Sequence, residues 1–196
     1  MKKYNVIYAD PPWSYETKDV PVVKRSIGMT QIDYYYDVMS NESIMNMPIK
    51  GILEKDAVCF IWVTNPLLPE GLKVLEAWGF KYLTTITWHK TNSKGMGYWF
   101  RGFTEHILFG VRGNVKAFRS LEKNIYESKF GKHSQKPQYF REMISRVVKN
   151  SFAEPKKLEL FARSREGFFP DYEYEGWDVF GNQVNNSIEL EPGEVT

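Results

Sequence analysis

The sequence has little of the chemistry on which several protein classes depend. Its 196 residues include one cysteine, Cys59, and three histidines, which excludes a disulfide scaffold and offers no cluster of metal ligands. The longest uninterrupted apolar run, residues 57–63, is far shorter than the roughly 20 residues that a membrane-spanning helix needs. No basic-then-apolar signal pattern opens the sequence. We therefore expect a soluble cytoplasmic protein with no metal and no membrane partner.

Positive charge is sparse at both ends of the sequence and concentrated in its middle. The net charge is only +2, but residues 81–153 hold 14 Lys/Arg against 4 Asp/Glu. Aromatic residues and glycines lie among these cations, as in the run KGMGYWFR at 94–101. Cations that bind phosphates, beside rings that can stack on bases, are typical of nucleic-acid surfaces. The span 81–136 is therefore the predicted nucleic-acid surface, and a solvated basic face is the alternative.

The pattern of elements predicts an α/β fold. Short apolar runs predict strands at 4–9, 57–64, 80–88, 157–161 and 176–180, and a hairpin of 106–111 with 115–119. Helical spacing predicts helices at 67–78 and from Pro137 to about Val148, with a short one after the N-cap Ser40. This alternation predicts a mixed, mostly parallel sheet with helices on both faces. Residues 1–184 are expected to form one domain, and the acidic residues 185–196 a flexible tail.

The segment from Asp10 to Trp13 carries the chemistry that is easiest to interpret. It follows the first predicted strand, and ligands of such sheets bind beyond the carboxyl ends of the strands, where Asn65, Lys90 and Arg163 also fall. Because proline has no N–H, no ladder hydrogen bond is expected at the Pro11 carbonyl, which can face a ligand beside the Asp10 carboxylate. Two acceptors and the ring of Trp13 would suit a planar aromatic amine. A strand-ending turn capped by Asp10 is the simpler alternative.

The chain resembles a known family over residues 4–184. The matching segments occur in the family's order: ADPPW (9–13), Tyr36 with Met39 and Ser40, FIWVT (60–64), WGF (78–80), WHKTN (88–92), EH (105–106), GVRGN (110–114), KP (136–137), LELFAR (158–163) and GNQ (181–183). The family is that of the adenine-N6 methyltransferases, which includes the catalytic subunit of the mRNA adenosine methylation complex and its bacterial and phage DNA-methylating relatives. The resemblance implies a Rossmann-like fold that uses S-adenosylmethionine.

The same resemblance implies roles for individual residues. The catalytic segment would be Asp10, Pro11, Pro12 and Trp13, with Asp10 and the Pro11 carbonyl on the adenine amine and Trp13 lining the base pocket. Substrate-binding residues would be Tyr36, Lys90 and Glu105. Cofactor-binding residues would be Asp10, Lys136, Phe161, Arg163, Asn182 and Gln183. His106 is expected to lie near the mouth of the site and receives no role.

Several features of the sequence depart from the family pattern. Ala162 stands where relatives often have glycine, Arg165 and Glu166 replace a frequent His-Asn pair, and the G-x-G-x-x-G turn is absent. Only nine residues precede Asp10, so we expect cofactor contacts from an upstream segment to be missing. The affinity for the cofactor is the property that we expect these departures to affect.

The acceptor, and whether the chain is catalytically active, are left open. Methylation of adenine in DNA by a microbial or phage enzyme is favoured, and methylation of RNA adenosine is the closest alternative. Transfer to the N4 amine of cytosine is disfavoured, because such enzymes more often carry serine in place of Asp10. A catalytically inactive nucleic-acid-binding subunit is the alternative to an enzyme, and the chain could pair with itself or with a related subunit.

Overall fold

One seven-stranded sheet organises the part of the chain that the structure describes. The structure is a computed structural model, and it describes residues 2–14, 38–92, 95, 99–129, 131, 136–163, 174–182 and 184–190. The strands are β1 (Tyr4–Ala9), β2 (Leu53–Thr64), β3 (Lys81–Lys90), β4 (Thr104–Arg112), β5 (Ile125–Ser128), β6 (Lys157–Leu160) and β7 (Asp178–Phe180). Their order in the sheet is β5-β3-β4-β2-β1-β6-β7.

Strand β4 is antiparallel to both of its neighbours, β2 and β3, whereas the other pairings are parallel. The sheet is therefore mixed and mostly parallel, as the sequence predicted. Strand β1 and the part of β2 from Ala57 to Val63 are buried almost throughout, which fits their apolar composition.

Helices cover both faces of the sheet. They are α1 (Asn41–Met45), α2 (Leu68–Ala77) and α3 (Tyr139–Val147). The predicted cap is confirmed, because the backbone N–H of Ser43 donates to Oγ of Ser40 at 3.0 Å. Helices α1 and α2 pack on one face of the sheet and α3 packs on the other, so each face has its own apolar core. No described helix is long and apolar enough to cross a bilayer.

The predicted hairpin is wrong in its second limb. Residues 115–119 form no strand, and β3 takes the place of that limb by pairing antiparallel with β4. The carbonyl of Phe118 accepts from Asn150 at 2.8 Å, and its ring lies 5.5 Å from that of Phe109. Because this segment bonds the residues after α3 and reverses at Arg119 (φ 49°), it cannot extend along β4. Strand β5 lies further along the chain and was not predicted.

The segment after residue 184 contacts the domain. The backbone N–H of Ser187 donates to the Val179 carbonyl at 2.8 Å, and Asn186 accepts from the Gly181 N–H at 2.8 Å. Ile188 and Leu190 are partly buried against the core on the α1 and α2 side. Residues 186–190 are thus attached to the sheet. The flexibility of the tail stays a prediction, and residues 191–196 lie outside the described part.

A buried ion pair joins α3 to the sheet. Arg141 of α3 donates from Nε and Nη2 to the two carboxylate oxygens of Glu159 in β6, at 2.6 and 2.9 Å. The two side chains are only 12% and 11% exposed. The guanidinium group also lies over the ring of Tyr174, 4.7 Å from its centroid. Such a two-point contact fixes the position of the helix on the sheet.

We expect Arg141→Leu to lower the free energy of unfolding by about 3 to 5 kcal/mol, because it leaves the Glu159 carboxylate buried without its main counter-charge. Urea unfolding at pH 7 measures the loss. The double variant Arg141→Leu with Glu159→Leu should recover part of it. The exposed pair of Lys73 with Glu70 provides the control, since Lys73→Ala should cost no more than about 1 kcal/mol. Equal losses for the buried and exposed pairs would contradict this account.

Candidate active site

The polar residues of the site meet at the edge where the parallel strands end. Asp10 follows β1, Asn65 follows β2, Lys90 is the last residue of β3, and Arg163 lies three residues beyond β6. Because β4 runs in the opposite direction, its first residues lie at this edge, which brings Glu105 beside them. The predicted meeting of the strand ends is therefore confirmed.

The turn after β1 is held by its own backbone. The Trp13 N–H donates to the Pro11 carbonyl at 2.9 Å, and the Met39 N–H donates to the Pro12 carbonyl at 3.0 Å. This bond lies within the turn and is not a ladder bond, so the prediction for the Pro11 carbonyl holds, although its oxygen already has one partner. A carbonyl oxygen has two lone pairs, so one hydrogen bond leaves it able to accept another.

Trp13 lies inside the apolar core on the α1 and α2 side. It is 8% exposed, and its indole Nε1–H donates to the Trp62 carbonyl at 2.8 Å. With so little of the ring accessible, Trp13 anchors the turn to β2 in this structure. Its predicted contact with a base stays a prediction.

Lys136 binds the carboxylate of Asp10 from across the site. Its ammonium group donates to both oxygens, at 2.9 and 3.0 Å, and lies 5.1 Å from the centre of the Trp62 ring. Lys136 immediately precedes Pro137 and the start of α3, so the beginning of that helix sets its position. Sequence analysis assigned both residues to the site without predicting this contact.

Glu105 extends the ion pair into a chain of alternating charge. Its carboxylate lies 3.4 Å from the Lys136 ammonium group and accepts a hydrogen bond from Lys90. Lys90 lies over the ring of Trp88, 5.0 Å from its centre. The order is therefore Asp10, Lys136, Glu105, Lys90, with signs that alternate and no net charge.

Burial and charge act in opposite directions on these groups. Burial by itself lowers the pKa of Lys136, but the carboxylates of Asp10 and Glu105 outweigh it and raise that pKa above its usual value. Burial raises the pKa of Glu105, but the ammonium groups of Lys136 and Lys90 outweigh it and lower that pKa below its usual value. Each charged form is therefore favoured by its partners.

His106 lies on the opposite face of the sheet from Glu105. Neighbouring strand residues point to opposite faces, and His106 pairs with Val63 and Thr87, whereas Glu105 pairs with Thr64 and Trp88. Its ring is hydrogen-bonded to the Thr87 hydroxyl at 3.1 Å and to Oδ1 of Asn65 at 2.9 Å. His106 thus joins β2, β3 and β4 on the α2 side. The expectation that it lies near the mouth of the site stays a prediction.

A tight turn lies beside Asp10 at the ends of β6 and β7. Ala9 of β1 pairs with Leu160 of β6. Asp10 and Phe161, the next residue of each segment, therefore occupy equivalent positions just beyond the ends of these neighbouring strands. Phe161 has φ 61°, an uncommon conformation for a bulky residue. A Cβ at Gly181 would lie 2.2 Å from the Ala162 carbonyl oxygen, so only glycine permits this close approach.

Two polar residues, Arg163 and Asn182, flank this turn. The backbone N–H and carbonyl of Arg163 are bonded to the Tyr174 hydroxyl at 3.2 and 2.6 Å, which holds the turn in place. Asn182 is exposed at the end of β7. A ligand with both a carboxylate and hydroxyl groups could bind here, with Lys136 facing its acid.

Sequence analysis placed most of the candidate residues at one edge. Asp10, Lys90, Glu105 and Lys136 are in one chain of contacts, and Phe161, Arg163 and Asn182 follow the ends of β6 and β7. Tyr36 and Gln183 lie outside the described residues, so their roles stay predictions. Sequence analysis did not identify Trp62 as a site residue, although its ring lies close to the Lys136 ammonium group. Its indole Nε1–H donates to the Tyr8 hydroxyl at 2.7 Å, and the only signal was its place in a buried strand.

No group of three or more His, Cys, Asp and Glu side chains suited to a metal ion occurs among the described residues.

The chain matches a protein family over most of its length. The model of the MT-A70 family matches residues 4–183. Among similar proteins, the type II methyltransferase M.MunI of Mycoplasma sp is 29% identical over 203 residues, which cover 96% of this chain and 82% of that protein.

Longer proteins match it too. The N(6)-adenosine-methyltransferase MT-A70-like protein of Arabidopsis thaliana is 28% identical over 93% of this chain and 24% of its own length. The N(6)-adenosine-methyltransferase catalytic subunit METTL3 of Homo sapiens is 27% identical over 100% of this chain and 30% of its own length. The chain thus spans about a quarter of the length of the plant relatives that it matches.

We expect Lys136→Met to lower the free energy of unfolding at pH 7 by about 1 to 3 kcal/mol, because two partly buried carboxylates lose the ammonium group that they share. The folded-state pKa of Glu105 is lowered, so the stability that it contributes is present above its usual pKa of 4.5 and is lost as the pH falls through the folded-state value. The difference from wild type should therefore narrow in acid.

Urea unfolding at pH 7 and at pH 4 measures this difference. Lys123→Met, which removes an exposed lysine from the loop after β4, is the control and should leave stability nearly unchanged. A difference between Lys136→Met and wild type that grows in acid would show that the carboxylates do not stabilise Lys136.

Proposed function

The chain belongs to the MT-A70 family, and from this we propose that it is an S-adenosylmethionine-dependent methyltransferase acting on the N6 amine of adenine in nucleic acid. The observation that carries the proposal is the placement of Asp10 and the Pro11 carbonyl at the end of β1, beside Lys136 and the turn at Phe161. The names of its relatives, among them N(6)-adenosine-methyltransferases, support the same reaction.

Asp10 and Pro11 would hold the adenine amine by its two N–H groups. That amine is a poor nucleophile, because its lone pair is delocalised into the ring. Two acceptors that bind both hydrogens favour the pyramidal form, in which the lone pair is localised on nitrogen. The two-point contact with Lys136 fixes the Asp10 carboxylate, and the bond to the Trp13 N–H fixes the Pro11 carbonyl. Both acceptors are therefore positioned before an amine arrives.

The residues at the ends of β6 and β7 suit S-adenosylmethionine. This cofactor supplies an electrophilic methyl group on a sulfonium sulfur, and it also carries a carboxylate, an ammonium group and an adenosine moiety. The ammonium group of Lys136 would bind the carboxylate, as a cation beside an anion. Asn182 and Arg163 would bind the hydroxyl and base portions. The left-handed turn at Phe161 brings backbone close to Asp10 and would support both.

The transfer needs only one displacement. The amine nitrogen forms a new N–C bond to the methyl carbon while the S–C bond breaks, and the electron pair of that bond stays on sulfur. The nitrogen then gives up one proton, to Asp10 or to solvent. The partial burial of Asp10, whose side chain is 26% exposed, limits the access of water to these atoms.

We propose DNA as the favoured acceptor and RNA as the alternative. The match with the type II methyltransferase covers 82% of that protein, whereas the N(6)-adenosine-methyltransferases are matched over about a quarter to a third of theirs. In a duplex the target amine is inside the base stack, so the base would have to be flipped out at a cost of a few kcal/mol. The basic span 81–136 would bind the phosphates.

We expect Asp10→Ala to reduce methyl transfer by about 100- to 1000-fold, since it removes one of the two acceptors and the charge next to Lys136. Labelled S-adenosylmethionine is incubated with matched DNA and RNA pools of equal adenine content, and the modified nucleoside is identified. Glu70→Ala, which removes a carboxylate on α2, is the control and should transfer as wild type does.

N6-methyladenine in DNA alone would support the proposed acceptor, and N6-methyladenine in RNA alone would replace it with the alternative. Label recovered as N4-methylcytosine, or unaffected by Asp10→Ala, would contradict the proposed chemistry. Absence of transfer to either pool, together with absence of cofactor binding, would favour a nucleic-acid-binding subunit without activity.

A further inference from the structure

Two adjacent aromatic side chains stand in solvent on the loop between β3 and β4. Trp99 is 93% exposed and Phe100 is 89% exposed. The five other tryptophans are each 8% exposed or less, and they are Trp13, Trp62, Trp78, Trp88 and Trp177. Water contact with two large rings is unfavourable, and a ligand that covered them would release that water.

The loop that carries the rings is closed at its base. The Lys90 N–H donates to the Phe103 carbonyl at 2.8 Å, and the Arg101 guanidinium group donates to the Gly95 carbonyl at 3.0 Å. Gly95 has φ 57°, and a Cβ there would lie 3.1 Å from the Gly102 nitrogen, so the two limbs approach closely. These bonds join the two limbs of the loop near its base.

The two ends of this loop lie in the active site. The loop begins directly after Lys90, which bonds Glu105, and it ends directly before Thr104 and Glu105. Glu105 shares Lys136 with Asp10. A strand whose adenine reached Asp10 would therefore have its neighbouring nucleotides beside this loop.

Charge favours a nucleic acid over a protein as the occupant. Residues 81–136 hold 11 Lys/Arg against 3 Asp/Glu, a surplus that complements phosphates. Aromatic rings beside cations are the usual platform for bases of a single strand. In a duplex the bases are already stacked and paired, so two exposed rings would find no free base face.

We propose that Trp99 and Phe100 stack on unpaired bases next to the target adenine, so that the preferred substrate is single-stranded or locally opened nucleic acid. This inference rests on the proposed function. It names the form of the substrate and two binding residues outside the catalytic segment.

The fluorescence of Trp99 can report ligand binding, because Trp99 is the one exposed tryptophan among six. Acrylamide, a neutral quencher, should quench wild-type fluorescence mainly through Trp99. A single-stranded 12-nucleotide DNA containing one adenine should protect it, and the matched duplex should protect it much less. Trp99→Phe should remove the quenchable component while keeping most of the affinity, since phenylalanine can still stack.

We expect Trp99→Ala and Phe100→Ala each to weaken binding of the single strand about 5- to 100-fold. Fluorescence anisotropy of the labelled 12-mer at several salt concentrations measures the affinity. The slope of log affinity against log salt should not change, because neither ring contacts a phosphate. Leu72→Ala is the control and should bind as wild type does, since Leu72 is an exposed apolar residue on α2, outside the basic span.

Binding that is unchanged in both ring variants, with no protection of Trp99, would overturn the inference. Light scattering tests the alternative that the rings contact a second copy of the protein. If the wild type is a dimer and either ring variant is a monomer, the rings form a protein interface, which would also overturn the inference. Methyl transfer that persists without dependence on the rings would contradict this inference alone. Ring-dependent binding without methyl transfer would contradict the proposed function alone, and a wild-type protein that binds no oligonucleotide would contradict both.

Discussion

The carboxylate of Asp10 is held by the ammonium group of Lys136, a residue 126 positions further along the chain. Two carboxylates, Asp10 and Glu105, approach this one cation in a partly buried place, where unpaired charge would be costly. Lys90 completes the balance on the far side of Glu105. The positions of Asp10 and Glu105 therefore depend on α3 being docked correctly, since α3 begins three residues after Lys136.

The docking of α3 depends in turn on a second ion pair on the same face of the sheet. Arg141 binds Glu159 of β6, and β6 lies directly beside β1. The two pairs thus connect the helix to neighbouring strands, one near the core and one at the edge. This face carries the charges of the site, whereas the opposite face holds the neutral network of His106 with Asn65 and Thr87.

The residues proposed for catalysis and those proposed to contact the substrate lie in different parts of the fold. The end of a buried strand holds Asp10 and Pro11, where the sheet restricts their movement. The loop after β3 instead projects Trp99 and Phe100 into solvent, where a long polymer can reach them. Rigid strand ends with exposed loops around them are a common arrangement for binding sites, because loops can vary without disturbing the sheet.

Four features were predictable from sequence. They are the α/β class, the strand that ends before Pro11, the cap at Ser40, and the position of Asp10, Lys90 and Arg163 at one edge of the sheet. Local rules determine these features: proline lacks an N–H, a serine hydroxyl caps a helix, and parallel strands share an edge. Only the tertiary structure decided that Trp13 is buried, that residues 115–119 are not a strand, that Glu105 and His106 face opposite sides, and that Lys136 binds Asp10. These outcomes depend on register and on contacts between distant segments. No local pattern encodes which of the two adjacent residues, Glu105 or His106, will face the helix that begins at Tyr139.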